Sequence, residues 1–117
     1  MASFRSRVSG GKLSRRSGRT IASPVRAAAA KVLAEDPDPA TTKVLEEAAG
    51  DKSWIVRAAA LEALARRGDP SALDTVELYL LDEKDVVRYT AAASALRLMR
   101  IKEAKSEARK LRRREMK

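Results

Sequence analysis

A chain of 117 residues with 25 Lys and Arg against 16 Asp and Glu is strongly basic and has room for one domain with flexible ends. It contains neither cysteine nor histidine, which excludes a disulfide framework, thiolate or imidazole metal sites and His-based catalytic triads. No apolar run approaches the roughly 18 residues of a membrane span and the basic N-terminus lacks the apolar stretch of a signal peptide, so a cytoplasmic location without a membrane partner is expected.

The charge is unevenly spread. Residues 1–20 carry six basic and no acidic side chains, residues 21–98 ten basic and thirteen acidic, and residues 99–117 nine basic and three acidic. Electrostatic arguments for a polyanionic partner therefore concern the two ends. Twenty-two alanines, beside one Trp, two Tyr and one Phe, favour closely packed helices over sheet.

In chain order, residues 1–20 read as a basic Ser/Gly-rich tail, expected to be disordered. Gly11-Lys12 resembles the end of a phosphate loop, but Leu13 replaces the required Ser or Thr and no strand precedes it. Helices are predicted near 24–34, 39–49, 54–67 and 70–81, with a last one from about 85. Ser23-Pro24, Asp38-Pro39 and Asp69-Pro70 each read as an N-cap followed by proline in the first turn, and Ser53 as the cap of the helix beginning at Trp54. Gly50 and Gly68 stand where helices should stop in a left-handed conformation. The stretch 99–117 reads as a basic extension of the last helix, with only Ala104, Ala108 and Leu111 as an apolar line.

These elements repeat. Val25-Arg26 recurs as Val56-Arg57 and as Val87-Arg88, two steps of 31 residues. Aligning 21–51 with 52–82 without gaps gives eleven identities, among them the Asp-Pro pairs and Asp51 with Asp82. In the 54–67 helix, Val56, Ala60, Ala63, Leu64 and Arg67 fall on one face, so each helix needs its neighbours to bury a stripe it cannot bury alone.

The phrase Asp51-x-x-x-Ile55-Val56-Arg57-Ala58-Ala59-Ala60-Leu61-Glu62-Ala63-Leu64, followed by Gly68-Asp69-Pro70-Ser71-Ala72-Leu73, resembles HEAT repeats, in the short form of the phycobilisome-lyase-type HEAT-like family. The resemblance covers about 21–98. It implies an all-α fold: a short right-handed α-solenoid of antiparallel helix pairs, an ARM-type superhelix. It implies a non-catalytic scaffold without cofactors that holds a protein partner, with the helices that begin at Val-Arg lining the concave face. It also implies that an Asp six residues before the Arg belongs to a ladder of hydrogen bonds between repeats, a pattern matched by Asp51/Arg57 and Asp82/Arg88. Thr20 stands where the first ladder Asp belongs, so Arg26 is expected to lack that partner. In the third unit Met99-Arg100-Ile101 replaces the Gly-Asp-Pro break, and Ala91, Ala95 and Leu96 suggest a one-residue slip in packing.

Two and a half units are near the lower limit for a solenoid. The first helix is expected to expose Val25, Ala29, Val32 and Leu33, which a longer solenoid, a second copy or a partner would cover. On the free face, Ala58, Glu62 and Ala65, with Lys31 and Tyr89 at equivalent positions, are candidates for a partner groove, and Trp54 for an interface anchor or a turn-packing residue. The alternative function is non-specific nucleic-acid binding through the basic ends, carried by Arg15, Arg16, Arg19, Arg112, Arg113 and Arg114. A HEAT-like base-excising glycosylase would need an aromatic and a carboxylate around a flipped base, and one Trp with scattered acids does not make that case.

Overall fold

Proline and glycine punctuate the chain, and the computed structural model, which describes residues 21–116, places five α-helices between them. α1 spans Ser23–Leu33, α2 Thr41–Ala48, α3 Trp54–Arg67, α4 Leu73–Leu78 and α5 Asp85–Glu115. Short 3-10 turns at Pro70–Ala72 and Tyr79–Leu81 extend α4 at both ends. No strand occurs among the described residues. α1, α3 and the first half of α5 stack side by side as an inner layer, while α2 packs on α3 and α4 on α5 as the outer one. This is an all-α solenoid. The expected properties of residues 1–20 lie outside the described residues.

Local chemistry sets the helix ends, not always as the sequence suggests. Asp69 Oδ1 accepts from the Ser71 N–H at 3.0 Å and Asp38 Oδ1 from the Ala40 N–H at 3.0 Å, yet α2 begins two residues beyond Pro39. Ser53 holds the cap position of α3 as expected but without a side-chain bond, and Ala22, not Ser23, holds that of α1. The turns before α3 and α5 are fixed instead by Asp51, which accepts from the Ser53 N–H at 2.8 Å, and Asp82, which accepts from the Lys84 N–H at 2.9 Å. Gly68 ends α3 with φ of 70°, the only positive φ among the described residues, so Gly50 is not left-handed.

The inner layer is joined by small side chains. α3 has a neighbour on each side, and Val56, Ala58, Ala59, Ala60, Leu61, Ala63, Leu64 and Ala65 are all buried. That corrects the one-sided stripe: one face meets α1, the opposite one α5. Among the described residues α1 has a neighbouring inner helix on one side alone. Its Ala27, Ala30 and Ala34 are buried, whereas Val25 is 57% and Val32 72% exposed at positions where α3 holds buried Val56 and Ala63. In α5 the buried Val87, Ala91, Ser94 and Ala95 match Val56, Ala60, Ala63 and Leu64 one period earlier, so no slip occurs. Leu98 stands where α3 has Arg67 and is fully buried. With the Gly-Asp-Pro break absent, α5 runs on for 31 residues.

Arg26, Arg57 and Arg88 form a relay along this stack. Arg57 Nε and Nη2 donate to Asp82 Oδ2 and Oδ1 at 2.9 and 3.0 Å, while Nη1 donates to the carbonyls of Asp51 and Lys52 at 3.0 and 3.1 Å. Arg26 binds the Asp51 carboxylate in the same bidentate way, at 2.9 Å for both bonds, and also donates to the Ile21 carbonyl. Each carboxylate is thus held by the arginine of the preceding unit, not by the arginine six residues on, and Arg26 does not lack a partner. Arg57 contacts only the main-chain carbonyl of Asp51, and Arg88 that of Asp82 at 2.7 Å. For Arg88 no later unit supplies a carboxylate, and Asp85 of its own helix does so.

Removing the Asp82 carboxylate leaves the 9%-exposed Arg57 uncompensated. Asp82→Ala is expected to destabilise the fold by about 3 kcal/mol in denaturant unfolding, since breaking a buried pair costs more than the pair contributes. Burial pushes both carboxyls up, but the Arg26 guanidinium and Ser53 N–H at Asp51, and the Arg57 guanidinium and Lys84 N–H at Asp82, outweigh it, leaving both below the ordinary value. A lowered folded-state value gives stability that is complete above the unfolded pKa of about 3.9 and lost as pH falls through the folded value. The melting temperature should therefore drop below about pH 4, and less steeply in Asp82→Asn. Gly68→Ala should cost about 1–2 kcal/mol, because an alanine must take the left-handed conformation and its Cβ would lie 3.1 Å from Ile101 Cδ1.

Candidate functional site

The outer helices cover one side of the inner layer, and the other side is free. There, between the C-terminal half of α3 and the first half of α5, lies a shallow groove of about 750 Å³. Its floor is Ala65, Thr90 and Ser94, and its sides are Glu35, Glu62, Arg66, Tyr89, Ala93 and Arg97. Backbone bonds hold the floor in place. Ser94 Oγ, itself buried, donates to the Leu61 carbonyl at 3.1 Å, and Arg97 Nε donates at 2.7 Å to the Ala65 carbonyl, which also accepts from the Gly68 N–H where α3 ends. Arg67, on the other side of the same helix end, donates to the carbonyls of Leu33 and Asp38 at 3.2 and 2.8 Å and so anchors the α1–α2 turn.

The groove rim is charged and amphipathic. Arg66 pairs with Glu35 at 2.7 Å, and both side chains are 69% exposed. Glu62 forms no ion pair among the described residues, Arg97 offers its terminal nitrogens to solvent or a ligand, and Tyr89, about two turns earlier on α5, is 69% exposed. Such a surface can present carboxylate acceptors, guanidinium donors and one aromatic face to an extended chain. Among the described residues no group of three or more His, Cys, Asp or Glu could hold a metal ion.

The structure brings together some of the sequence candidates and separates others. Glu62 and Tyr89 line the groove. Ala58 does not; it is 8% exposed, covered because α3 has a helix on each side. Lys31 is exposed on α1, outside the groove lining. Trp54 sits at the N-terminus of α3 with the Lys84 ammonium 5.8 Å from its ring centroid, a cation–π contact between successive turns, also away from the groove. Asp51, Arg57, Asp82 and Arg88 lie in the relay. Arg112, Arg113 and Arg114 lie on the exposed end of α5, whereas Arg15, Arg16 and Arg19 lie outside the described residues. Arg66 and Arg97 escaped the sequence reading, although one signal was present: they occupy the same repeat position, one period apart, after Glu35.

Antiparallel helix pairs stacked through equivalent positions, with a free inner face, define an α-solenoid of short repeats. The family model described as HEAT repeats matches residues 22–97, and the chain belongs to that family. No curated protein and no solved structure matches it. No helix among the described residues is long and apolar enough to cross a membrane.

Two substitutions separate the rim from the seam. Arg66→Ala should change unfolding free energy by less than about 0.5 kcal/mol, since exposed pairs contribute little. Ala58→Leu, by contrast, should cost about 2 kcal/mol through overpacking against α5, although a groove-lining alanine would tolerate it.

Proposed function

We propose that the protein is a non-catalytic scaffold that holds a protein partner in the groove between α3 and α5. The observation that carries this reading is the groove itself. It is a surface with a firmly bonded floor and a rim of Glu62, Arg66, Tyr89 and Arg97 that the chain's own side chains leave open. An extended segment fits the chemistry, because alternating acceptors and donors beside an aromatic ring can bind a backbone and pin one side chain. The chain lacks cysteine and histidine, and the relay already employs Asp51 and Asp82, which leaves few groups suited to turnover. Within the family, the Asp51-to-Leu73 phrase supports placing the chain with the phycobilisome-lyase-type short repeats.

A second contact is favoured by the uncovered edge of α1. Val25 and Val32 are exposed there at positions that α3 buries, and a second copy of the chain would cover them. Val32→Glu would then shift the mass seen by light scattering from dimer to monomer. An unchanged mass would remove this reading.

The groove is tested by photocrosslinking in living cells. A crosslinking residue at Tyr89 should trap a recurring protein that the same residue at Glu77, on the outer layer, does not. Adding Glu62→Arg should reduce the adduct by at least about fivefold without lowering the melting temperature, as expected when reversing a charge sets like charges against each other. Equal trapping from both positions, or none from Tyr89, would overturn the proposal.

A further inference from the structure

Beyond Ile101 every residue of α5 through Glu115 is exposed, so this part of the helix projects from the body. Its charges are sorted by face. At about 100° per residue, Lys102, Lys105, Arg109, Arg112 and Arg113 fall within a sector about 100° wide that contains no acidic side chain. Glu103 and Glu107 lie on the other side with Arg100, Lys110 and Arg114, and Glu107 reaches Lys110 at 4.0 Å. A third strip holds Ala104, Ala108 and Leu111. The mixed face nearly neutralises itself. The basic face does not, and none of its five side chains forms an ion pair among the described residues.

That arrangement is unfavourable in the free protein. Lys105, Arg109 and Arg113 are successive like-charged neighbours four residues apart, Lys102 with Lys105 and Arg109 with Arg112 three apart, and such pairs destabilise an isolated helix. Net positive charge for solubility needs no sorting by face. A polyanion laid along one side of the helix does, and it would relieve the repulsion.

We infer that the Lys102–Arg113 face of α5 binds the phosphate backbone of double-stranded nucleic acid without reading its sequence. The five charges extend over about 16 Å of helix, facing a duplex that carries one negative charge per about 1.7 Å of axis. The absence of an aromatic side chain from residues 99–117 disfavours a single strand, which is held by base stacking. It also disfavours an anionic membrane, for which an interfacial helix uses Trp, Phe or several Leu, and the apolar strip here has a single Leu beside two alanines. Asp69 lies close enough to Lys105 to feel its charge, at the root of the stripe where the duplex would meet the body.

Charge-matched variants of the full chain test this. Lys105, Arg109 and Arg112 changed together to Gln are compared with Arg100, Lys110 and Arg114 changed together to Gln, which removes the same net charge from the other faces. Binding to a fluorescent DNA duplex of about 24 base pairs is measured by anisotropy between about 50 and 200 mM salt. The first variant should bind about tenfold or more weakly and lose nearly three from the slope of log affinity against log salt. The second should change affinity by less than about threefold. Equal losses would mean that net charge alone governs, no loss in either would place binding at residues 1–20, and binding to anionic phospholipid vesicles but not to the duplex would name a membrane; each overturns the inference. Melting temperatures of both variants should match the parent, since every changed side chain is exposed.

Discussion

The fold depends on one interaction repeated along its length: an arginine at the start of each inner helix that grips the aspartate in the turn before the next. An inner layer built largely of alanine allows close approach, but each small side chain buries little area, so the apolar seam alone fixes neighbouring helices weakly along their axes. The Arg57 fork supplies what alanine lacks. Two bonds reach forward to Asp82 and two reach back to the carbonyls of Asp51 and Lys52, so a single side chain sets the spacing of three segments. Because the fork is planar, it also sets their orientation. A lysine could supply the charge but not this geometry.

The relay has a direction, which explains how it ends. Asp51 and Asp82 answer the arginine of the unit before, so the last arginine needs a substitute. Asp85 provides it from within α5, at a repeat position where α3 has Trp54 and α1 has Ser23. At the other end no described residue covers the outer side of α1, where Val25 and Val32 are exposed. One edge is therefore satisfied electrostatically and the other is left apolar. The groove follows from the same stacking: α3 and α5 can lie close only because Ala65 and Ser94 are small, and their larger neighbours Glu62, Arg66, Tyr89 and Arg97 are forced outward along the free side.

Much of this was legible in the sequence. The period of 31, the left-handed Gly68, the Asp69 turn and the uninterrupted last helix all follow from local chemistry, and local chemistry is what a single sequence displays. The pairing direction was not. Asp51 lies six residues before Arg57 and 25 after Arg26, and spacing cannot tell a contact within a unit from one between units. A one-sided stripe puts Ala58 on the surface, whereas a middle helix in a stack has two buried sides. Ser53 stands at the cap position, but the bond that fixes the turn is its own N–H to Asp51 two residues earlier, which the identity of Ser53 does not reveal. A charged side chain on a helix has no local signature of lining a groove, so Arg66 and Arg97 are not legible one by one. Only their shared phase in the repeat marked them.

The replacement of Gly-Asp-Pro by Met99-Arg100-Ile101 has two effects, and they are linked. It removes the left-handed stop and the turn, so the chain does not fold back where α3 did. It also lets a helix already fixed by Val87, Ala91, Ala95 and Leu98 continue into solvent. A short isolated helix in water is marginal because its first turn is costly to form, but here the packed half has already formed it, and each added residue needs only propagation. The Ala, Glu, Lys and Arg that fill the extension are good helix formers. The helix can then tolerate five like charges along one face, because its stability begins in the core and not in the segment that carries them.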